Sequence, residues 1–81
     1  MNNNENILPE MSLFKAGKYR HYKGAEYRVI DTATHSESEE LLVVYRPLYG
    51  EAALWVRPFN MFFETLMVDG VLKKRFEFIE E

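Results

Sequence analysis

Eighty-one residues make one domain with no room for a second core, and a chain this short buries only about 60% of the surface it exposes when unfolded. Hydrophobic residues at 47%, with six Phe, five Tyr and one Trp, argue against disorder, and the lack of cysteine excludes a disulfide framework or a thiolate metal site. A net charge of −3 argues against non-specific binding of nucleic acid, although Lys15, Lys18, Arg20, Lys23 and Arg28 outnumber Glu26 locally and leave room for a positive face.

The opening "MNNNENILPEMSLF" has neither a positively charged start nor a continuous apolar run, so no signal peptide is expected. No later stretch approaches the roughly 18 apolar residues of a membrane span, and a cytoplasmic protein without a membrane partner is expected. Residues 1–12, polar and interrupted by Pro9, are expected to form a flexible tail. Residues 13–81 are expected to form the domain, with Leu13 and Phe14 tucked against it.

From Gly17 the chain reads as short strands separated by turn signals. "KYRHY" ends at the Lys23-Gly24 turn. "EYRVIDTATH" alternates, with Tyr27, Val29 and Ala33 on one face and Arg28, Thr32 and Thr34 on the other, and runs into the exposed loop "SESEE". "LLVVYR" has the β-branched composition of a buried strand, and "LWVR" returns as its partner after Gly50. "PFNMFFE" predicts one helical turn, capped by Asn60, whose Met61, Phe62 and Phe63 plug the core. "TLMV" and "VLKKRFEFI" flank Asp69-Gly70, a two-residue hairpin signal that sets Glu64 opposite Arg75.

The two most apolar stretches each contain an arginine just before a proline, Arg46 and Arg57. A two-residue turn at Gly50-Glu51 would set Arg46 opposite Trp55, Tyr45 opposite Val56 and Val44 opposite Arg57. Leu41, Val43, Tyr45, Leu54 and Val56 then form the core face, and both arginines share the other with Trp55. A slip of one residue would put the arginines on opposite faces.

The ordered runs "GKYRHYKG", "EYRVIDTATHSE", "LLVVYRPLYG", "LWVRP", "MFFE", "DG" and "RF" resemble a bacterial family, domain of unknown function 1653, over about residues 14–79. The resemblance implies an all-β fold, a small SH3-like barrel of five or six strands with one short helical turn before the penultimate strand. It implies no activity. Two positions depart from the family pattern: Ser38 stands where Thr is usual, and Lys74 where Pro is usual.

Arg46, Arg57, Trp55 and Tyr49 are the leading candidate ligand-binding residues, with His35 and Arg20 at the rim. Guanidinium groups grip phosphate or carboxylate with paired donors, and an indole stacks a planar group. The structural alternative is a cross-strand cation–π pair of Arg46 with Trp55, or an arginine absorbed by Glu64. His35-Ser36-Glu37 contains a base and a hydroxyl, but strand neighbours point to opposite faces, and a hydrogen-bonded turn histidine accounts for it better. "KYRHYKG" interleaves Lys18, Arg20 and Lys23 with Tyr19, His21 and Tyr22. Single-strand nucleic-acid binders use that pattern, and so does a strand with inward tyrosines and solvated basic residues. Two histidines fourteen residues apart, without cysteine, predict neither a metal site nor a cofactor.

The leading expectation is a non-catalytic binding module for an anionic or planar ligand, a nucleotide or single-stranded nucleic acid. The alternatives are a module that binds a protein, a peptide or a second copy through a strand edge, and, behind it, a small hydrolase using His35.

Overall fold

The structure, a computed structural model, describes residues 14–81, so the tail expected over residues 1–12 and the packing expected of Leu13 lie outside it. Alternating side chains build seven antiparallel strands: β1 (Gly17–His21), β2 (Glu26–Thr34), β3 (Leu41–Pro47), β4 (Trp55–Pro58), β5 (Thr65–Val68), β6 (Val71–Lys74) and β7 (Phe76–Glu80). One helical turn, α1 (Phe59–Phe62), follows β4. The main sheet runs β4-β3-β2-β1-β7, and β5-β6 form a separate hairpin. The all-β class with one helical turn is as expected. The barrel is incompletely closed, because the edge strands β4 and β7 do not pair with each other.

The described residues form seven strands because "VLKKRFEFI" is two strands and not one. Arg75 divides them: its N–H donates to the Glu64 carbonyl at 2.8 Å, and its own carbonyl accepts from the Tyr22 N–H at 3.0 Å. At that residue the chain stops pairing with β5 and begins pairing with β1, so three strands follow α1. The Glu64–Arg75 pair forms as expected, with Arg75 Nη2 3.1 Å from Glu64 Oε1. The Asp69-Gly70 turn also forms, with φ of 52° and 79° and Val68 opposite Val71.

The core is Tyr19, Tyr27, Val29, Val43, Tyr45, Phe59, Phe62 and Phe76. Aromatic rings supply most of it, and Phe62 stacks on Phe76 at 4.0 Å. Phe14 packs on Phe59 and Phe63, as expected of it. In α1 the helical period buries Phe59 and Phe62 and half-buries Phe63, whereas Met61 faces solvent and does not join the plug. Pro58, not Asn60, occupies the N-cap position, and no side chain caps the turn.

Two register details correct the expected faces. A bulge between Val29 and Asp31 inserts Ile30, after which Thr32 sits opposite the buried Val43 and Ala33 opposite Leu42. Beyond the bulge the facing of Thr32 and Ala33 is therefore the reverse of simple alternation. Between β3 and β4, Tyr45 lies opposite Trp55, Val44 opposite Val56 and Val43 opposite Arg57. That is one residue away from the register of a Gly50-Glu51 turn. After Pro47, which has no N–H to donate, the Leu48 N–H bonds the Glu26 carbonyl on β2 at 3.0 Å, so the chain leaves β4 early. A second left-handed residue, Ala52 at φ 55°, widens the loop beyond Gly50 at φ 63°. Leu54 and Val56, expected in the core, are instead 56% and 58% exposed.

Candidate functional site

The shifted register carries Arg57 onto the core face. Its partner Val43 is fully buried, so the arginine stem runs over the core while its head reaches the open mouth of the sheet. There Nε donates to the Tyr45 hydroxyl at 3.2 Å, and the guanidinium carbon lies 5.5 Å from the Phe76 ring centre. Arg57 is half-buried, yet no carboxylate pairs with it among the described residues. A partly desolvated cation without a counter-charge is costly, and an anionic ligand would relieve that cost.

Aromatic rings surround it. Trp55 meets Tyr45 edge-on at 6.0 Å and Tyr27 at 6.2 Å, and the Tyr27 and Tyr49 hydroxyls share a hydrogen bond of 3.2 Å. Tyr45 is buried, but Trp55 and Tyr49 remain 42% and 52% exposed, which leaves both with accessible ring surface. Burial, assisted by the bond to Tyr49, pushes the Tyr27 hydroxyl up to about 12, so it is a neutral hydrogen-bonding group at ordinary pH.

His21, at the end of β1, closes the far side. Its ring meets Phe76 edge-on at 4.9 Å and lies 4.5 Å from the Tyr22 ring, tilted by 31°. Nδ1 accepts the Lys23 N–H at 3.1 Å, so the neutral ring carries its proton on Nε2. Burial first, then the charges of Arg57, Arg75 and Lys23, hold its pKa below the ordinary histidine value. Beyond His21 opens a cleft of about 430 Å³ between β1 and the β6 strand.

The structure thus brings together Arg57, Trp55 and Tyr49, but not the other three candidates. Arg46 lies on the opposite face, directly across from Arg28, with Nη1 3.5 Å from the Ala52 carbonyl oxygen. The expected sharing of one surface by Arg46, Arg57 and Trp55 is therefore corrected, and so is the Arg46–Trp55 stack. Arg20 points outward and gives both Nε and Nη2 to Glu26 Oε2, at 3.2 and 2.8 Å. His35 accepts the Glu37 and Ser38 amides on Nδ1 at 3.1 and 3.2 Å, which makes it the organiser of the β2–β3 turn. Tyr27, Tyr45, Phe76 and His21 complete the mouth in positions that only the register reveals, although His21 stands within the aromatic-basic run "KYRHYKG". Among the described residues no group of three or more His, Asp or Glu is placed to hold a metal ion, and no helix is long and apolar enough to cross a membrane.

Residues 17–78 match the family model described as protein of unknown function, DUF1653. The chain belongs to the DUF1653 family. A crystal structure of a DUF1653 protein from Bordetella bronchiseptica superposes with a TM-score of 0.79 at 34% identity, covering 85% of this chain and 91% of that one. Comparison with curated proteins gives no match. The matched DUF1653 region includes every residue of the mouth, from His21 to Phe76.

Proposed function

We propose that this DUF1653 protein is a non-catalytic binding module whose mouth takes a nucleotide-type ligand, one planar group joined to one anionic group. The observation that carries the proposal is Arg57, half-buried, oriented by Tyr45 and Phe76 and lacking a carboxylate among the described residues. Trp55 and Tyr49 offer stacking surface beside it, and Arg57 offers its outer nitrogens to phosphate. Charge-assisted hydrogen bonding and stacking suffice for binding, with no bond made or broken.

The test is an amide and side-chain NMR titration with uridine and adenosine monophosphates. Saturable shifts are expected at the Trp55 indole, the Arg57 side chain and His21, weakening as salt is added. Arg57→Met should lower the affinity about tenfold, the scale of one charged hydrogen bond, and Arg57→Lys should recover part of it. Absence of any shift at millimolar nucleotide would overturn the proposal.

A second reading is favoured by one specific observation. Among the described residues β4 is an edge strand bearing exposed Trp55 and Val56, and an extended peptide could add to it as a sixth strand of the main sheet. Peptide addition would protect β4 amides from exchange, which a nucleotide in the mouth would not do.

A further inference from the structure

We infer that the ligand is a single-stranded nucleic acid of several nucleotides, running from the Trp55–Arg57 mouth across His21 into the cleft bordered by Lys73 and Lys74. The inference rests on the mouth proposed above and extends it to a second subsite. The cleft has Arg20, His21 and Tyr22 on one wall and Leu72, Lys73 and Lys74 on the other. His21 joins the two sites, since its ring touches Phe76, the same ring that Arg57 covers.

The path carries more positive than negative charge. Lys73 and Lys74 form no ion pair among the described residues, and their cross-strand partners are Leu66 and Thr65. The carboxylate in the cleft, Glu77, sits opposite Arg20 on β1, and Arg20 itself is bonded to Glu26. Glu77 forms no ion pair among the described residues, so it offsets one of the two lysines, and the excess positive charge is Arg57 at one end and one lysine at the other. Burial first, and then the positive charges of Arg57, Arg75 and Lys23, lower the pKa of His21 between the two sites.

Stacking surfaces follow the same order. Trp55 and Tyr49 are exposed at the mouth, while the cleft holds the Tyr22 ring, 4.5 Å from His21 and 5.8 Å from the Lys23 ammonium, with the exposed Leu72 as apolar contact surface. A mononucleotide would fill the mouth alone. A strand with a repeating base and phosphate meets both, which is the pattern of aromatic platforms set along a basic groove. An acidic peptide would satisfy the cations but leave the ring faces unused.

The experiment compares uridine monophosphate, oligouridylates of two to eight nucleotides and polyglutamate on the intact chain, by NMR and fluorescence anisotropy. Affinity is expected to rise at least tenfold from the monomer to the octamer. Octamer affinity should fall about tenfold between about 50 and 200 mM salt, as two or three phosphate contacts require. Lys73→Gln with Lys74→Gln should remove most of the length dependence while leaving monophosphate affinity within about twofold. Both positions are exposed on the hairpin, and Lys73→Glu with Lys74→Glu gives a second, stronger variant should the first be silent. Monophosphate binding with no gain in length, or a gain that both lysine variants retain, would overturn the second subsite and leave the mouth intact. Equal affinity for polyglutamate would overturn the assignment to nucleic acid. No binding of any nucleotide would overturn the mouth and, with it, this extension.

Discussion

Arg57 and His21 are coupled through space, and the coupling has a measurable sign. The folded state holds His21 below its ordinary pKa, through burial and then through Arg57, Arg75 and Lys23. The folded protein therefore takes up the proton less readily than the unfolded chain. Stability is full above the unfolded pKa of about 6.5 and is lost as pH falls from there through the folded value. Denaturant midpoints between about pH 7 and pH 5 should decline, less so in Arg57→Met, where one repelling charge is gone. Ring-proton NMR should at the same time show the His21 pKa moving upward in that variant. An unchanged His21 titration would place Arg57 too far away to matter.

At the scale of the elements, Gly17 shows how closely β1 and β7 approach. Its φ of 145° is one that side chains rarely adopt, and a Cβ there would stand 2.5 Å from the Glu80 carbonyl oxygen and 2.9 Å from the Glu81 Cα. Gly17→Ala should cost about 1–3 kcal/mol as backbone is displaced. Gly24→Ala, whose Cβ would meet nothing within 4 Å, should cost less, and equal losses in urea unfolding would rule out the close approach as the cause. The strands themselves were legible from composition and turn residues, as was the Asp69-Gly70 hairpin, whose chemistry is local. Three features were not. The Ile30 bulge, the break at Arg75 and the β3–β4 register each depend on which neighbour receives a backbone N–H, and that choice is made by tertiary pairing. Since register decides facing, the residue types of the mouth could be named from the sequence, but Arg46 could not be separated from Arg57.

For the molecule as a whole, a core of eight side chains among the described residues leaves little stability in reserve. Val43, fully buried beneath Arg57, should cost about 2 kcal/mol when replaced by Ala, enough to lower the melting temperature by roughly 10 °C. Leu54→Ala, at a position 56% exposed, should stay within about 0.5 kcal/mol. Calorimetry on the two variants separates the observed register from its one-residue alternative, which would bury Leu54.

The strand order also sets a timetable for folding. β1 to β4 are joined as successive hairpins, each of which can form as soon as its two strands exist. β1 has a second neighbour, β7, and His21 meets Phe76 only across most of the described residues. With β1 to β4 already paired, that closure spans the chain from the end of β4 to β7, several times the length of the Tyr22–Ala25 turn, and costs about 1 kcal/mol more in chain entropy. Until it happens, Phe76 is missing from the core and its stacking partner Phe62 stays uncovered. On the ribosome the first four strands should therefore wait as an open, aromatic-faced meander until residues 76–80 emerge. Pairing of β7 is then the step at which a nascent chain either becomes native or is captured by chaperones.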